Sequence, residues 1–105
     1  MREVLSPAAL EQALATLPGW QAGADGRTIG KTFVLADFNA AFGLMTRIAL
    51  QAERMDHHPD WRNVWNRLEI TLSTHDAGGV TALDVALASF IERCADNPRE
   101  QRGAG

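Results

Sequence analysis

Residues 53–61, ERMDHHPDW, place two adjacent histidines among acidic side chains. The third and last histidine of the chain, His75, comes later and directly precedes Asp76. An imidazole has an unperturbed pKa of about 6.5, so it can give or take a proton near neutral pH. If His57, His58 and His75 meet in the fold, they form a candidate site for acid–base catalysis.

The same residues fit a metal site or a site of nucleophilic catalysis less well than a site of acid–base catalysis. Adjacent histidines in an extended segment point in different directions, and Pro59 biases His58 toward that conformation, so binding of one metal ion by both is awkward. Histidines at helical i, i+4 spacing are absent, and Cys94 is the only cysteine. Ser73 and Thr74 lie near a histidine, but no nucleophile elbow surrounds them. Acid–base chemistry without a metal is therefore favoured.

The distance between the histidines depends on how residues 61–74 fold. As one straight strand they would hold His58 and His75 about 40–55 Å apart, and no shared site could exist. The two tryptophans of this segment would also lie on the opposite face from its leucines and isoleucine. A two-residue turn at Asn66-Arg67 solves both problems. It predicts a hairpin in which these pairs share one face: Trp65 with Leu68, Asn63 with Ile70, and Trp61 with Leu72.

The sequence before this segment predicts a helix, a hairpin and a second helix. Ser6, followed by proline, is typical of a helix start, and a Pro-Gly pair at 18–19 ends that helix. An Asp-Gly pair at 25–26 predicts the turn of a first hairpin. Asp37 is expected to cap a long helix that ends near Met55. The apolar face of this helix is predicted to contain Phe38, Ala41, Phe42, Met45, Ile48, Ala49 and Ala52.

The last helix is predicted to begin at Thr81, with an apolar stripe of Leu83, Leu87, Phe90 and Cys94. Residues 97–105 are typical of a disordered tail. The order helix, hairpin, helix, hairpin, helix predicts an α+β fold, with a four-stranded antiparallel sheet of two hairpins and three helices packed on one face. Residues 1–105 are expected to form a single domain.

Asp84 has two interpretations. The residues Thr81-Ala-Leu-Asp84 fit a capping box, in which the acidic side chain binds the first turn of the helix. From the residues alone this structural role is favoured, and a direct role in the site stays open. The glycines at 78–79 most simply make a turn, although they would also let a flat ligand approach the backbone.

Composition limits the classes of function. The net charge is −3 and no run is rich in lysine or arginine, so the chain lacks the basic surface that binds nucleic acid directly. The first ten residues lack the apolar core of a signal peptide, and no apolar run is long enough to span a membrane. A cytoplasmic protein is expected, with neither nucleic acid nor membrane as a direct partner. Cys94 lies in an apolar stripe and is expected to be a core residue rather than a nucleophile.

The sequence of residues 53–84, ERMDHHPDWRNVWNRLEITLSTHDAGGVTALD, resembles the signature of the pterin-4a-carbinolamine dehydratase family. The shared features are Glu-x-x-x-His-His-Pro, a following aromatic pair, Thr-His, and an aspartate that opens the last helix. Similarity continues into DFNAAFGLMTRIALQAE and LASFIE on either side, so it covers about residues 31–92. Two positions depart from some relatives: Ala77 replaces a cysteine, and Arg62 replaces an aromatic residue.

The resemblance implies a hydro-lyase that dehydrates 4a-hydroxytetrahydropterin to quinonoid dihydropterin. It implies no metal and no organic cofactor, and it implies catalysis by His57, His58 and His75. One imidazole would protonate the leaving oxygen, and another, or Glu53, would accept a proton. The implied substrate-binding residues are Glu53, His57, His58, Pro59, Thr74, His75, Asp76, Ala77 and Asp84.

The resemblance also implies partners. A homodimer or homotetramer is expected, and the reaction would recycle the tetrahydropterin cofactor of an aromatic amino acid hydroxylase. Members of the family are also dimerisation cofactors of a homeodomain transcription factor. An interaction module is therefore the alternative to an enzyme, and the long helix could offer an apolar face to a partner or to a second copy. The physical basis of a homo-oligomer would be a sheet edge or a helix face that the monomer does not use.

Overall fold

The computed structural model describes residues 2–96 of the 105-residue chain. Helices and strands follow one another in the predicted order. They are α1 (Pro7–Ala15), β1 (Gln21–Ala22), β2 (Ile29–Val34), α2 (Phe38–Met55), β3 (Asp60–Val64), β4 (Arg67–Leu72) and α3 (Ala82–Ala95).

Two predictions concern the chain as a whole. The tail at 97–105 lies outside the described residues, and the assignment of 1–105 to a single domain stays a prediction. Within residues 2–96, no helix is both long enough and apolar enough to cross a bilayer. The cytoplasmic location also stays a prediction.

The sheet is antiparallel throughout, with the strand order β1-β2-β4-β3. One face is covered by the helices, and the opposite face is open, with Val34 66% and Val64 51% exposed. The predicted α+β class and four-stranded antiparallel sheet are confirmed. The covered face contributes to the core Ile29, Phe33, Leu68, Ile70 and Leu72.

The predicted fold-back between β3 and β4 is confirmed, but its turn lies one residue earlier than predicted. Val64 pairs with Arg67, so the two turn residues are Trp65 and Asn66. The predicted register is therefore wrong by two residues. Because this number is even, the residues of β3 keep their predicted faces. Trp61 lies opposite Ile70 rather than Leu72, and Asn63 lies opposite Leu68 rather than Ile70.

Hydrogen bonds made by Asn63 and Asn66 explain the position of this turn. Asn66 donates from Nδ2 to the carbonyl oxygen of Leu35 at 3.0 Å, and the Leu35 N–H donates to the Asn66 carbonyl at 2.8 Å. Nδ2 of Asn63 donates to the carbonyl groups of Trp65 and Arg67. These bonds fix the turn between β3 and β4 and leave Trp65 at its tip, with φ of 52° and a 63% exposed side chain. The expectation that Trp65 joins the apolar face is wrong.

The face of α2 that packs on the sheet is rotated from the predicted one. Of the predicted face, Ala41, Ile48 and Ala52 are buried as predicted. Phe38, Phe42 and Ala49 were also predicted to face the core, but all three are exposed. The error arises because the helix has apolar residues around more than half of its circumference, and the aromatic side chains suggested the wrong centre. Its inner face is rich in alanine, which lets the helix lie close to the core. The buried residues are Ala40, Ala41, Leu44, Ile48 and Ala52.

The inner stripe of α3 is rotated in the same way. Leu83, Phe90 and Cys94 are only partly buried, and the buried line is Asp84, Leu87, Ala88, Ile91 and Ala95. Burial raises the pKa of the Cys94 thiol, and the positive charges of Arg47 and Arg93 oppose this rise. Cys94 is therefore protonated at neutral pH, which fits a packed thiol rather than a nucleophile.

The predicted helix caps are confirmed. The Ser6 side chain caps α1, and the Asp37 side chain caps α2 by accepting the N–H of Ala40 at 2.8 Å. Both halves of the capping box are formed at the start of α3, between Thr81 and Asp84. The first turn of α3 is thereby held by the same aspartate that contacts His57.

Candidate active site

The end of α2 sends the two adjacent histidines in different directions. Asp56 has a left-handed backbone, with φ of 49° and ψ of 46°, and its N–H donates to the carbonyl groups of Ala52 and Glu53. The next N–H, that of His57, donates to Ala52 at 3.0 Å. The His57 side chain is consequently 7% exposed, whereas that of His58 is 54% exposed.

The imidazole of His57 pairs with the fully buried carboxylate of Asp84. Its Nε2 lies 2.6 Å from Oδ1 of Asp84. The other carboxylate oxygen, Oδ2, accepts hydrogen bonds from the hydroxyl of Thr74 at 2.9 Å and from the N–H of Thr81 at 2.8 Å. Three donors thus converge on a carboxylate that is removed from water, as a buried charge requires. Because Nε2 of His57 is held by Asp84, Nδ1 is the nitrogen that remains for a ligand.

A different carboxylate binds the second histidine. Oε1 of Glu53, on the last turn of α2, lies 2.6 Å from Nε2 of His58, and both side chains are exposed. The adjacent rings therefore have separate partners and separate surroundings. The His57 ring is buried and held by Asp84, whereas the His58 ring is exposed to solvent.

A tight loop after β4 brings the third histidine to the same end of the sheet. Thr74 and Gly79 form an antiparallel bridge, in which the Thr74 N–H donates to the Gly79 carbonyl at 2.9 Å. Gly78 has φ of 79°, a conformation that glycine adopts without strain, and it closes the loop. His75 and Asp76 lie exposed at the tip of this loop.

A cavity of about 310 Å³ opens where these segments meet. This volume is at the lower end of the range for small-molecule sites. A larger hollow of about 500 Å³ lies over β1, β2 and β4, but no histidine lines it. We assign the candidate site to the smaller cavity because it gathers the ionisable groups. Its lining residues are Arg2, Asp56, His57, His58, Ser73, His75 and Asp76.

The other predicted site residues lie around this cavity without lining it. Thr74 and Asp84 stand behind His57 and are 2% and 0% exposed. Glu53 reaches the site through its contact with His58. Pro59 and Ala77 are partly buried neighbours of lining residues in the chain.

Arg2 is a lining residue that sequence reasoning missed. Its guanidinium donates to both carboxylate oxygens of Asp76 at 3.0 Å. The N–H of Leu5 donates to the carbonyl of Val80 at 2.9 Å, which holds the N-terminal segment beside the loop. Arg2 belongs to no motif, and only the fold brings it to Asp76. Ser73 also lines the cavity, and its place next to Thr-His could have indicated this.

The arrangement is suited to proton transfer. His57 is oriented from behind by a buried carboxylate, and His58 and His75 are accessible from the cavity mouth, so a bound molecule could meet imidazole groups on more than one side. Among residues 2–96, no group of three or more histidine, cysteine, aspartate or glutamate side chains is placed to hold a metal ion.

Comparisons with known proteins agree on one family. The sequence profile described as pterin 4 alpha carbinolamine dehydratase matches residues 3–94. Proteins provisionally named pterin-4-alpha-carbinolamine dehydratase are similar to this chain. The one from Bradyrhizobium diazoefficiens is 60% identical and the one from Afipia carboxidovorans is 54% identical, each over 95 residues that cover 90% of this chain and 95% of the relative.

A crystal structure has the same fold. It is that of a protein from Brucella melitensis described as a transcriptional coactivator/pterin dehydratase, with a TM-score of 0.87 and 41% sequence identity over 89% of this chain and 99% of that one. The match of the family profile to nearly all of the described residues, together with these identities, shows that the chain belongs to the pterin 4 alpha carbinolamine dehydratase family.

Proposed function

We propose that this chain is a hydro-lyase that dehydrates a 4a-hydroxytetrahydropterin to quinonoid dihydropterin by histidine acid–base catalysis. The observation that carries the proposal is the meeting of His57, His58 and His75 at one cavity of about 310 Å³. Family membership supplies the substrate class, and the three imidazoles supply groups that can move protons at neutral pH.

The reaction requires only proton transfer. In a carbinolamine, hydroxyl and amine share one carbon, so the nitrogen lone pair can form a C=N bond as the C–O bond breaks. The oxygen leaves as water once an acid has protonated it, and a base removes the proton from nitrogen. Positioned acid and base groups each accelerate such steps by about a hundred- to ten-thousandfold.

The geometry supports distinct roles for the histidines. Asp84 holds Nε2 of His57, so Nδ1 is proposed to exchange the proton with the substrate. His58, with Glu53 as its partner, and His75, at the loop tip, are placed to serve as the complementary groups. We propose that the remaining contacts to the pterin come from Pro59, Asp76 and Ala77, and that Thr74 and Asp84 contribute from behind His57.

The purified chain is expected to accelerate dehydration of freshly generated 4a-hydroxytetrahydropterin well beyond the rate in buffer. Stopped-flow ultraviolet spectroscopy can follow quinonoid dihydropterin as it forms. A second arm adds the chain to an aromatic amino acid hydroxylase under conditions in which the carbinolamine accumulates, and faster conversion of the accumulated carbinolamine to quinonoid dihydropterin is expected. A rate equal to that of buffer in the first arm would contradict the proposed activity.

We also propose that the chain forms a homodimer or homotetramer through the outer face of α2. Phe38 and Phe42 contact each other there, with ring centroids 5.7 Å apart, and they are 48% and 56% exposed. Leu50, farther along the same helix, is 60% exposed. Aromatic side chains clustered on a surface are typical of protein interfaces.

Replacement Phe42→Asp is expected to reduce the molecular mass in solution to that of the monomer, because a charge would be buried in the apolar interface. Sedimentation velocity measures this mass. Val64→Asp is the matched control, since Val64 is 51% exposed on the open face of the sheet, and it should leave the assembly intact. A wild-type chain that is monomeric at micromolar concentration would contradict the proposal. Co-purification of a different polypeptide bound at Phe42 would instead favour the interaction module.

A further inference from the structure

A buried chain of hydroxyl groups lies behind the His57–Asp84 pair. Oγ1 of Thr81 is 2.7 Å from Oγ1 of Thr74, which in turn is 2.9 Å from Oδ2 of Asp84. Thr74 is 2% exposed, and Thr81 and Asp84 are fully buried. Water therefore cannot replace these contacts, and each hydroxyl must find its partners within the protein.

The chemistry of the groups fixes the direction of each hydrogen bond. A carboxylate only accepts, so the Thr74 hydroxyl donates its single proton to Asp84. Oγ1 of Thr74 is then free to accept, and the Thr81 hydroxyl donates to it. Oγ1 of Thr81 accepts in turn from the N–H of Leu83 at 3.2 Å. Donation runs from the first turn of α3 through both hydroxyls to the carboxylate.

We infer that Thr74 is a positioning residue that acts on His57 through Asp84. This inference rests on the proposed function. The bonds from the Thr74 hydroxyl and the Thr81 N–H engage Oδ2 and fix the plane of the carboxylate, so that Oδ1 faces Nε2 of His57. With Nε2–H donating to Oδ1, the ring keeps its Nδ1 available to the cavity. The hydroxyl of Thr74 therefore serves the histidine, whereas the resemblance had implied that Thr74 binds or flanks the pterin.

The loop that contains Thr74 does not need this hydroxyl for its own fold. The backbone N–H of Thr74 donates to Gly79, and its carbonyl accepts from the N–H groups of Ala77 and Gly78. Thr81 differs, because its hydroxyl also caps α3. Replacement of Thr74 therefore removes the positioning contact without removing a helix cap, and it is the cleaner test.

The test compares Thr74→Val, which keeps the shape and removes the hydroxyl, with Thr74→Ser, which keeps the hydroxyl. Thr74→Val is expected to lower the dehydration rate about tenfold to a hundredfold, by analogy with the loss of an outer partner of a metal-binding histidine. Thr74→Ser should stay near the wild-type rate. Circular dichroism and thermal unfolding establish that both variants are folded.

The second readout does not depend on activity. Two-bond ¹H–¹⁵N spectra at alkaline pH report which nitrogen of His57 carries the proton. We expect Nε2–H in the wild-type and Thr74→Ser chains and a mixture of tautomers in Thr74→Val. An unchanged tautomer in Thr74→Val would overturn the inference, as would equal rate losses in both variants. If the wild-type chain lacks dehydratase activity but the tautomer shifts as expected, the proposed function fails while the positioning contact stands.

Discussion

Replacement His57→Gln is expected to lower the dehydration rate at least about a hundredfold while leaving the fold intact. The glutamine amide can reach the position of Nε2 and donate to Asp84, so the buried carboxylate keeps its three donors. The amide cannot exchange a proton at neutral pH, and the chemical role of the ring is lost. Stopped-flow measurement on freshly generated carbinolamine gives the rate, and urea unfolding gives the stability.

Two companion variants separate chemistry from packing. His57→Ala should lose the same activity and in addition about 1–3 kcal/mol of unfolding free energy, because a buried carboxylate oxygen is left without its partner. His75→Ala should lose much of the rate with little change in stability, since this side chain is exposed at the loop tip. Full activity in both His57→Gln and His75→Ala would remove the basis of the site assignment.

Replacement Asp84→Asn is expected to cost about a hundred- to ten-thousandfold in rate with a smaller effect on stability. The asparagine oxygen can still accept from the Thr74 hydroxyl and the Thr81 N–H, so the NH₂ group of the asparagine must face His57. An N–H donor at that place forces Nε2 of His57 to accept, and the ring proton moves to Nδ1. His57 would then present the wrong tautomer to the cavity, and the NMR spectra described above would show the exchange.

The Asp84→Ala variant tests how much the same side chain contributes to the stability of the fold. It removes the acid of the capping box and leaves three buried donors without an acceptor, so an unfolding free energy lower by about 2–5 kcal/mol is expected. Ser6→Ala is the control, because the Ser6 hydroxyl caps a different helix, α1, by accepting the N–H of Ala9, and its loss should cost only about 0.5–2 kcal/mol with an unchanged rate. An Asp84→Asn chain with wild-type activity would show that the carboxylate serves the helix alone.

Local sequence signals predicted the elements that gather the site. Caps at Ser6, Asp37 and Thr81 were located correctly because each depends on a short-range bond between a side chain and a nearby backbone N–H. The fold-back was predicted because a straight strand would have put apolar side chains on both faces. The similarity to the dehydratase family was confirmed by the family profile and by relatives of high identity.

Long-range contacts set the details that the sequence did not predict. The turn lies at Trp65 and Asn66 because Asn66 binds Leu35, a residue of another segment. The inner face of α2 was misjudged because size and apolarity pointed to the phenylalanines, whereas close packing selected alanine. Arg2 lies at the cavity because it binds Asp76, a residue 74 positions away in the sequence.

The residues around Asp84 predicted a cap, and the resemblance implied a place in the site, but neither predicted the contact with His57. A capping box states only that the acid binds the N-terminal turn of its own helix. The remaining carboxylate oxygen points at a ring on another segment, and that contact requires α2 and α3 to pack side by side. One aspartate therefore both caps α3 and binds the imidazole of His57.

The left-handed backbone conformation of Asp56, at the end of α2, limits which sequence changes this segment can tolerate during evolution. The backbone of Asp56 determines which chain position is buried and which is exposed, so a residue deleted there would put His58 in the inner position, and an inserted one would put His57 in the outer position. Insertions and deletions at this junction should therefore impair the protein far more than replacement of Asp56 by glycine or asparagine.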